Sequence, residues 1–309
     1  MAMHPDEIEV DERVAHRLIE SQFPEWAGQS VRRVAAAGTV NAVFRVGEHI
    51  AARFPLRGSN AEAARHQLEQ EASAMCALAD VCPFPTPQSV AIGGPGEGYP
   101  LSWSIQTWIP GMAGTPRAAE NSDAFAADLV TLIRALRAAD TNGRRFAGSG
   151  RGGNLADSDD WIKVCLRESE ALLPVGRLAE LWSRFRLLPR LGPDVMSHGD
   201  LIPANLLIED ERLVGVLDGG GFAPADPALD VVSAWHLLGT ESRALLRREL
   251  RSSDLEWQRA AAWAFQQAMG LVWYYQHTNP AMSELGRITL SRILDAASPA
   301  RRSSSVIVP

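Results

Sequence analysis

Cysteine is scarce in this chain of 309 residues: Cys76, Cys82 and Cys165 are the three, and no two stand in a Cys-x-x-Cys spacing. A disulfide framework and a thiolate zinc site are not expected, and free thiols in a reducing cytoplasm are. Positive charge is not in excess either. The formal net charge is −7. A surface that follows a nucleic-acid backbone wants a basic surplus, so no nucleic-acid partner is expected. No apolar run approaches the roughly 20 residues that span a bilayer. The start, Met1-Ala2-Met3-His4-Pro5-Asp6-Glu7, lacks the basic segment and apolar run of a secretory leader. These absences lead to the expectation of a cytoplasmic protein without a membrane partner, a monomer or a dimer.

What is present is ordinary for a globular protein, with 46% hydrophobic and 22% charged residues. The length suits one large domain or two modest ones.

The stretch that carries chemistry runs from Ser197 to Asp230. His198-Gly199-Asp200 is followed by Asn205, five residues after the Asp, and then by the apolar run Leu206-Leu207-Ile208. A second apolar run, Leu213 to Leu217, ends in Asp218. A loop thus holds a carboxylate and an amide at fixed separation, and a hairpin returns another carboxylate beside them. Phosphoryl transfer needs this set: one Asp to orient and accept the proton of an attacking hydroxyl, and an Asn and an Asp to hold Mg²⁺ on nucleotide phosphates. The spacing matches the protein-kinase set His-Arg-Asp-x-x-x-x-Asn and Asp-Phe-Gly, with Gly199 for the Arg and Gly219 for the Phe.

Residues 198–205, the strand ending at Asp218, and Ala225-Asp226-Pro227-Ala228-Leu229-Asp230 resemble the aminoglycoside phosphotransferase family. The resemblance extends more weakly from about Val31 into the late helices. It implies a two-lobed α+β fold of protein-kinase type, with a small antiparallel-sheet lobe over residues 1–110 that binds nucleotide. A mainly helical lobe over 111–309 would carry catalysis and the acceptor. It implies Asp200 as the catalytic base, Asn205 and Asp218 as Mg²⁺ ligands, and ATP or GTP as phosphoryl donor. It also implies structural roles for Asp226, buttressing the catalytic loop, and for Asp230, capping or pairing near the next helix. Asp226-Pro227 is equally a plain helix start, with Pro at the first helical position.

In the first half, residues 6–28 have the spacing of an amphipathic helix. Val31–Val34, Ala42–Val46 and His49–Phe54 have the alternation of strands, broken by Gly38-Thr39-Val40-Asn41. Gly38 and Asn41 could lay backbone N–H groups over phosphates, and a plain hairpin turn is the other reading. Arg53 stands where a kinase has its phosphate-pairing Lys, and no Lys is near it. The spacing predicts a helix over Ala61–Ala79. Glu69 and Glu71 on it are candidates to pair with Arg53, and the family pattern favours Glu71. A strand from Leu101 to Ile109 leads to the hinge between lobes, where the resemblance puts backbone groups near Gln106 and Thr107 on a purine edge. Trp103 is expected in the core. Trp108 is open between hinge packing and substrate contact.

The second half continues with a helix over Asp123–Ala138. Residues 144–157 are Gly-rich and long for a compact connection, so they form either a substrate loop or a mobile segment. Asp157, Asp159 and Asp160 open the next helix, which places them either on its dipole or in a patch for ammonium groups. Residues 161–188 are expected to be helical with a break at Pro174-Val175-Gly176. Four late helices, over 230–240, 241–251, 255–277 and 281–296, carry Trp235, Trp257, Trp263, Trp273, Tyr274 and Tyr275. Any of these aromatics that faces the cleft could stack on an acceptor ring.

The function expected is transfer of the γ-phosphoryl group of ATP or GTP, with Mg²⁺, to a hydroxyl of a small molecule. An aminoglycoside-type antibiotic is the first acceptor. A macrolide, a choline-like amine or a sugar is the second. A nucleotide-binding protein without turnover is the alternative of a different class.

Overall fold

The computed structural model describes residues 7–34, 40–148, 151–190 and 192–297. The chain opens with α1 (Glu12–Gln22), started by Asp11, whose carboxylate accepts from Val14 N at 2.8 Å. It then builds β1 (Val31–Arg33), β2 (Asn41–Val46), β3 (Ile50–Pro55), α2 (Ala61–Ala79), β4 (Ser89–Gly93) and β5 (Trp103–Thr107). The five strands form one sheet in the order β1-β2-β3-β5-β4, every neighbour antiparallel. Alternation in β2 sends Ala42, Phe44 and Val46 inward. They meet Phe54 and Trp103, whose rings stack with centroids 4.7 Å apart, and α1 covers them with Leu18 and Ile19. Trp103 is fully buried, as expected.

The short strand β6 (Met112–Ala113) pairs with a strand late in the chain, so the polypeptide leaves the sheet at about residue 110. There follow α3 (Asp123–Ala138), α4 (Asp159–Glu168), α5 (Val175–Phe185), β7 (Val195–Ser197), β8 (Leu206–Glu209), β9 (Arg212–Val216) and β10 (Ala223–Ala225). The chain ends in α6 (Val232–Leu237), α7 (Thr240–Leu250), α8 (Asp254–Tyr274) and α9 (Pro280–Ala297). β8 and β9 form a hairpin flanked by β6, and β7 pairs with β10. The largest core lies here, with α8 buried along most of its length against α4, α5, α6 and α9. A sheet-rich first part thus faces a helical second part.

α2 and α3 occupy the residues their apolar spacing predicts, each opened by a side-chain cap, Asn60 on Ala63 N and Ser122 on Phe125 N. The expected division near Pro174 into two helical segments is present: α4 ends at Glu168, a turn follows, and Pro174 is the N-cap of α5, with Val175 and Gly176 inside the second helix. Proline lacks an N–H and is tolerated where a helix begins. Among the described residues no helix is long and apolar enough to cross a membrane.

Candidate active site

β7 delivers Ser197, and the chain turns sharply at Gly199, whose φ is +80°. The buried carboxylate of Asp230 clamps this turn. It accepts from Ser197 Oγ at 2.8 Å and from the backbone N–H groups of His198 and Gly199 at 3.1 Å each. His198 is buried, with Nε2 2.8 Å from the carbonyl of Leu217. A carbonyl only accepts, so Nε2 carries the hydrogen and Nδ1 faces the N–H of Asp200 as acceptor.

Asp200 is held from three sides. Oδ1 accepts from Arg151 Nη2 at 3.0 Å and from Gln267 Nε2 at 2.8 Å, while Oδ2 accepts from Asn205 Nδ2 at 3.0 Å. Burial pushes its pKa up. The charge of Arg151 and the hydrogen bonds from Arg151 and Gln267 outweigh that and hold it below the ordinary carboxylate value. At neutral pH it is an ionised acceptor.

Asn205 also donates Nδ2 to the Asp200 carbonyl at 2.9 Å. With its nitrogen committed to Asp200, the amide turns its oxygen elsewhere. Its own backbone carbonyl accepts from Leu217 N at 2.7 Å, which fastens it to the end of the β8–β9 hairpin, one residue from Asp218. Asp218 is left-handed, with φ 60° and ψ 42°, a conformation Asp tolerates better than most residues. Three glycines follow it. A Cβ on Gly219 would lie 2.4 Å from Leu78 Cδ2, and one on Gly220 would lie 2.9 Å from Glu71 Cγ. These glycines let α2 rest directly on the turn.

Arg53 reaches from β3 to Asp218 Oδ1 at 2.8 Å and to Gln106 Oε1 at 3.4 Å. The expected partner of Arg53 was Glu71. Instead Glu71 accepts from Gln67 at 2.9 Å and packs on Gly220, while Glu69 pairs with Arg65 on the exposed side of α2. At the hinge, the N–H of Thr107 is taken by the Gln88 carbonyl and that of Trp108 by the His49 carbonyl. Trp108 packs under the Arg45 guanidinium, 5.2 Å from its ring centroid.

Between the two parts of the molecule lies a cleft of about 600 Å³. Asn41, Arg53, Gln106, Thr107, Asp200, Asn205 and Asp218 all line it; Glu71 does not. Gly38 lies outside the described residues. The far end is apolar, formed by Ile202, Ala204, Leu271, Tyr275 and Met282. Of the late aromatics, Tyr275 lines the cleft and the others do not. Asp159 and Asp160 are outside it, engaged by Arg186 and Lys163.

The roles expected of the two later acids are divided differently. Asp230 braces the catalytic loop directly. Asp226 forms a fully buried ion pair with Arg259, accepts from Trp263 Nε1 at 3.1 Å, and caps Ala228 N. Arg259 also donates to the carbonyls of Leu188, Pro189 and Gly153. It thereby secures the Gly-rich segment that carries Arg151.

Arg151, Gln267 and His236 were not singled out in the sequence. The unusual length of the Gly-rich segment was the one available signal for Arg151. Gln267 sits in a helix without motif, and only the folded geometry brings it to Asp200. Arg151 has a second distinction: its Nη1 is buried and makes no hydrogen bond. On its other side is a cavity of about 720 Å³ lined also by Arg144 and Arg145.

Among known protein families, the model of the phosphotransferase enzyme family matches residues 31–263. Curated relatives include aminoglycoside 3'-phosphotransferases of Escherichia coli and Salmonella typhimurium, each 33% identical over 70 residues. That stretch is 22% of this chain and spans 26% of each relative's length. Among solved structures, aminoglycoside 2'-phosphotransferase-IIIa in complex with GDP superposes with a TM-score of 0.68 at 19% identity, covering 93% of this chain and 100% of that one. Macrolide 2'-phosphotransferase MphH of Brachybacterium faecium superposes with a TM-score of 0.59 at 19% identity, covering 91% of this chain and 97% of that one. The fold is shared with both.

Proposed function

This chain belongs to the phosphotransferase enzyme family, and on that premise we propose that it transfers the γ-phosphoryl group of ATP or GTP to a hydroxyl of a largely apolar small molecule. Asp200 carries the proposal, an ionised carboxylate on a clamped loop at the border between the polar and apolar halves of one cleft. The acceptor hydroxyl donates its hydrogen to Asp200 as its oxygen bonds to the γ-phosphorus. The bond from that phosphorus to the bridging oxygen of the leaving diphosphate breaks, and the proton passes from Asp200 to solvent.

Arg53 is assigned to the phosphates of the nucleotide and Arg151 to the transferred group. The place of Arg151 in the cleft lining, bonded to Asp200, supports the second assignment, since a phosphoryl in transfer wants a fixed cation on its equatorial oxygens. The Asn205 amide oxygen and the Asp218 carboxylate are hard donors that fit Mg²⁺. Bound there, the metal would neutralise phosphate charge. Asn41, Gln106 and Thr107 line the nucleotide end.

The lining supports an acceptor of macrolide type. Apart from Asp200 and Asp218, no carboxylate lines the cleft among the described residues, and Arg151 lines it beside Asp200. A polycation would find two arginines, Arg53 and Arg151, and an apolar wall there. An aminoglycoside is the second reading, supported by the short match to aminoglycoside 3'-phosphotransferases. Either acceptor would make antibiotic resistance the biological role.

The test is nucleoside-diphosphate release with Mg²⁺ and ATP or GTP across macrolides, aminoglycosides and small amino alcohols. The expected result is turnover on an apolar acceptor, lost in Asp200→Asn while nucleotide still binds. Turnover confined to aminoglycosides would overturn the acceptor class. No acceptor-dependent turnover, with nucleotide bound in a titration, would leave a binding protein.

A further inference from the structure

A line of polar side chains runs from Asp200 into the interior of the second part. Gln267 of α8 has Nε2 2.8 Å from Asp200 Oδ1. Its Oε1 is 3.1 Å from His236 Nε2, and His236 Nδ1 is 2.9 Å from Thr289 Oγ1 on α9. His236 and Thr289 are wholly buried.

Hydrogens can be placed along this line in one way. The carboxylate only accepts, so Gln267 must turn its NH₂ to Asp200. Its oxygen then faces His236, and Nε2 of the ring must carry the hydrogen. In a neutral ring Nδ1 is left as acceptor, and the Thr289 hydroxyl donates to it. Burial supports the neutral ring: it depresses the His236 pKa to about 4, against the opposing pull of the Gln267 hydrogen bond and the Asp200 charge.

We propose that His236, as a neutral imidazole protonated on Nε2, is a positioning residue that locks the Gln267 amide with its nitrogen toward Asp200. The proposal rests on Asp200 being the base of phosphoryl transfer. A Gln amide can present either end to a neighbour. Reversed, it would set an oxygen against a carboxylate and oppose ionisation of the base. The Nε2-protonated ring opposes this, because reversal would set the Gln267 NH₂ against its N–H unless the ring changed tautomer as well.

The charged and titratable groups around the line are few. Arg151 and His198 face Asp200, with Arg53 and Asp218 lining the same cleft. Arg292 of α9 donates Nη1 to the His236 carbonyl at 2.8 Å. Arg151 and Asp200 also act on the ring through their charge.

Two measurements on the full chain test the proposal. ¹⁵N-histidine spectra between about pH 5 and 9 need no turnover, and the expected His236 signal is a neutral ring protonated at Nε2 throughout that range. An Nδ1-protonated ring, or an imidazolium, in that range overturns the proposal. Kinetics form the second. His236→Leu and Gln267→Leu should each lower kcat by about tenfold, with KM for nucleotide unchanged. The double variant should be no worse than either, and His236→Gln, whose amide can donate to Gln267, should restore most of kcat. Thr289→Val, a smaller change at the other side of the ring, should lower kcat in the same direction and serves if His236→Leu fails to fold. An unchanged kcat in the folded variants, a rise in nucleotide KM in place of the fall in kcat, or additive losses in the double, overturns the proposal. Failure of the underlying reading is separate: full activity of Asp200→Asn, with the His236 spectrum as expected.

Discussion

Arg53 and Asp218, 165 residues apart in sequence, meet across the cleft with Nη2 2.8 Å from Oδ1. The Arg53 side chain is 13% exposed and the Asp218 side chain 49%. A pair this open to water is worth about 0–1 kcal/mol. It therefore does little to hold the two parts together, and the proposed roles of Arg53 on nucleotide phosphates and of Asp218 on Mg²⁺ give the pair a separate test. Arg53→Ala should raise KM for the nucleotide about tenfold or more and leave the unfolding midpoint within about 2 °C, whereas a pairing that mattered for stability would lower the midpoint further. Steady-state kinetics against nucleotide and a thermal melt read both.

Arg151 acts on Asp200. Burial pushes the Asp200 pKa up, and the Arg151 charge helps to reverse that. The base is competent above its pKa, so removing the charge moves the acid limb to higher pH. Arg151→Ala should shift the kcat/KM profile upward and lower kcat by about 10²-fold through loss of the contact assigned to the phosphoryl group. Arg151→Lys keeps the charge and should retain the position of the limb. A pH profile of Arg151→Ala identical to wild type would rule the contact out.

The Asp226–Arg259 pair lies wholly inside the protein. Removing one partner leaves an uncompensated charge there. Arg259→Met should destabilise the protein by about 3–5 kcal/mol. The paired change Asp226→Asn with Arg259→Met should recover part of the loss, because no lone charge remains. Urea unfolding of the wild type and the two variants checks the order.

His236 makes the protein acid-sensitive. Its folded pKa is about 4 because burial disfavours the charged ring, against an ordinary value of 6.5. The unfolded chain binds this proton below about pH 6.5 and the folded chain does not until about pH 4. Stability is therefore fully present above the ordinary value and is lost as pH falls toward 4, by about 3 kcal/mol in total for this group. Thermal midpoints from pH 7 to 4.5 should fall more steeply in the wild type than in His236→Gln. Parallel curves would remove His236 as the cause.

Chemistry confined to a short span was legible in the sequence. Asp200, Asn205 and Asp218 lie within 19 residues, and one loop and one hairpin bring them to a common end whatever the rest of the chain does. The helices over Ala61–Ala79 and Asp123–Ala138 were legible because apolar period and caps agree. Glu71 was assigned by pattern, and the pattern misled. Gly219 and Gly220 let α2 settle on the turn after Asp218, so Glu71 packs there and Arg53 turns to Asp218.

By itself, the sequence determined the reaction class, through residue types whose relative position is set by local backbone geometry. The tertiary structure alone decided what surrounds Asp200. Arg151 comes from an irregular segment 49 residues earlier, and Gln267 from a helix 67 residues later. Long-range contacts leave no period or spacing in the chain, because their geometry is fixed by how the core packs. The same packing set Ile202, Leu271, Tyr275 and Met282 on one wall of the cleft.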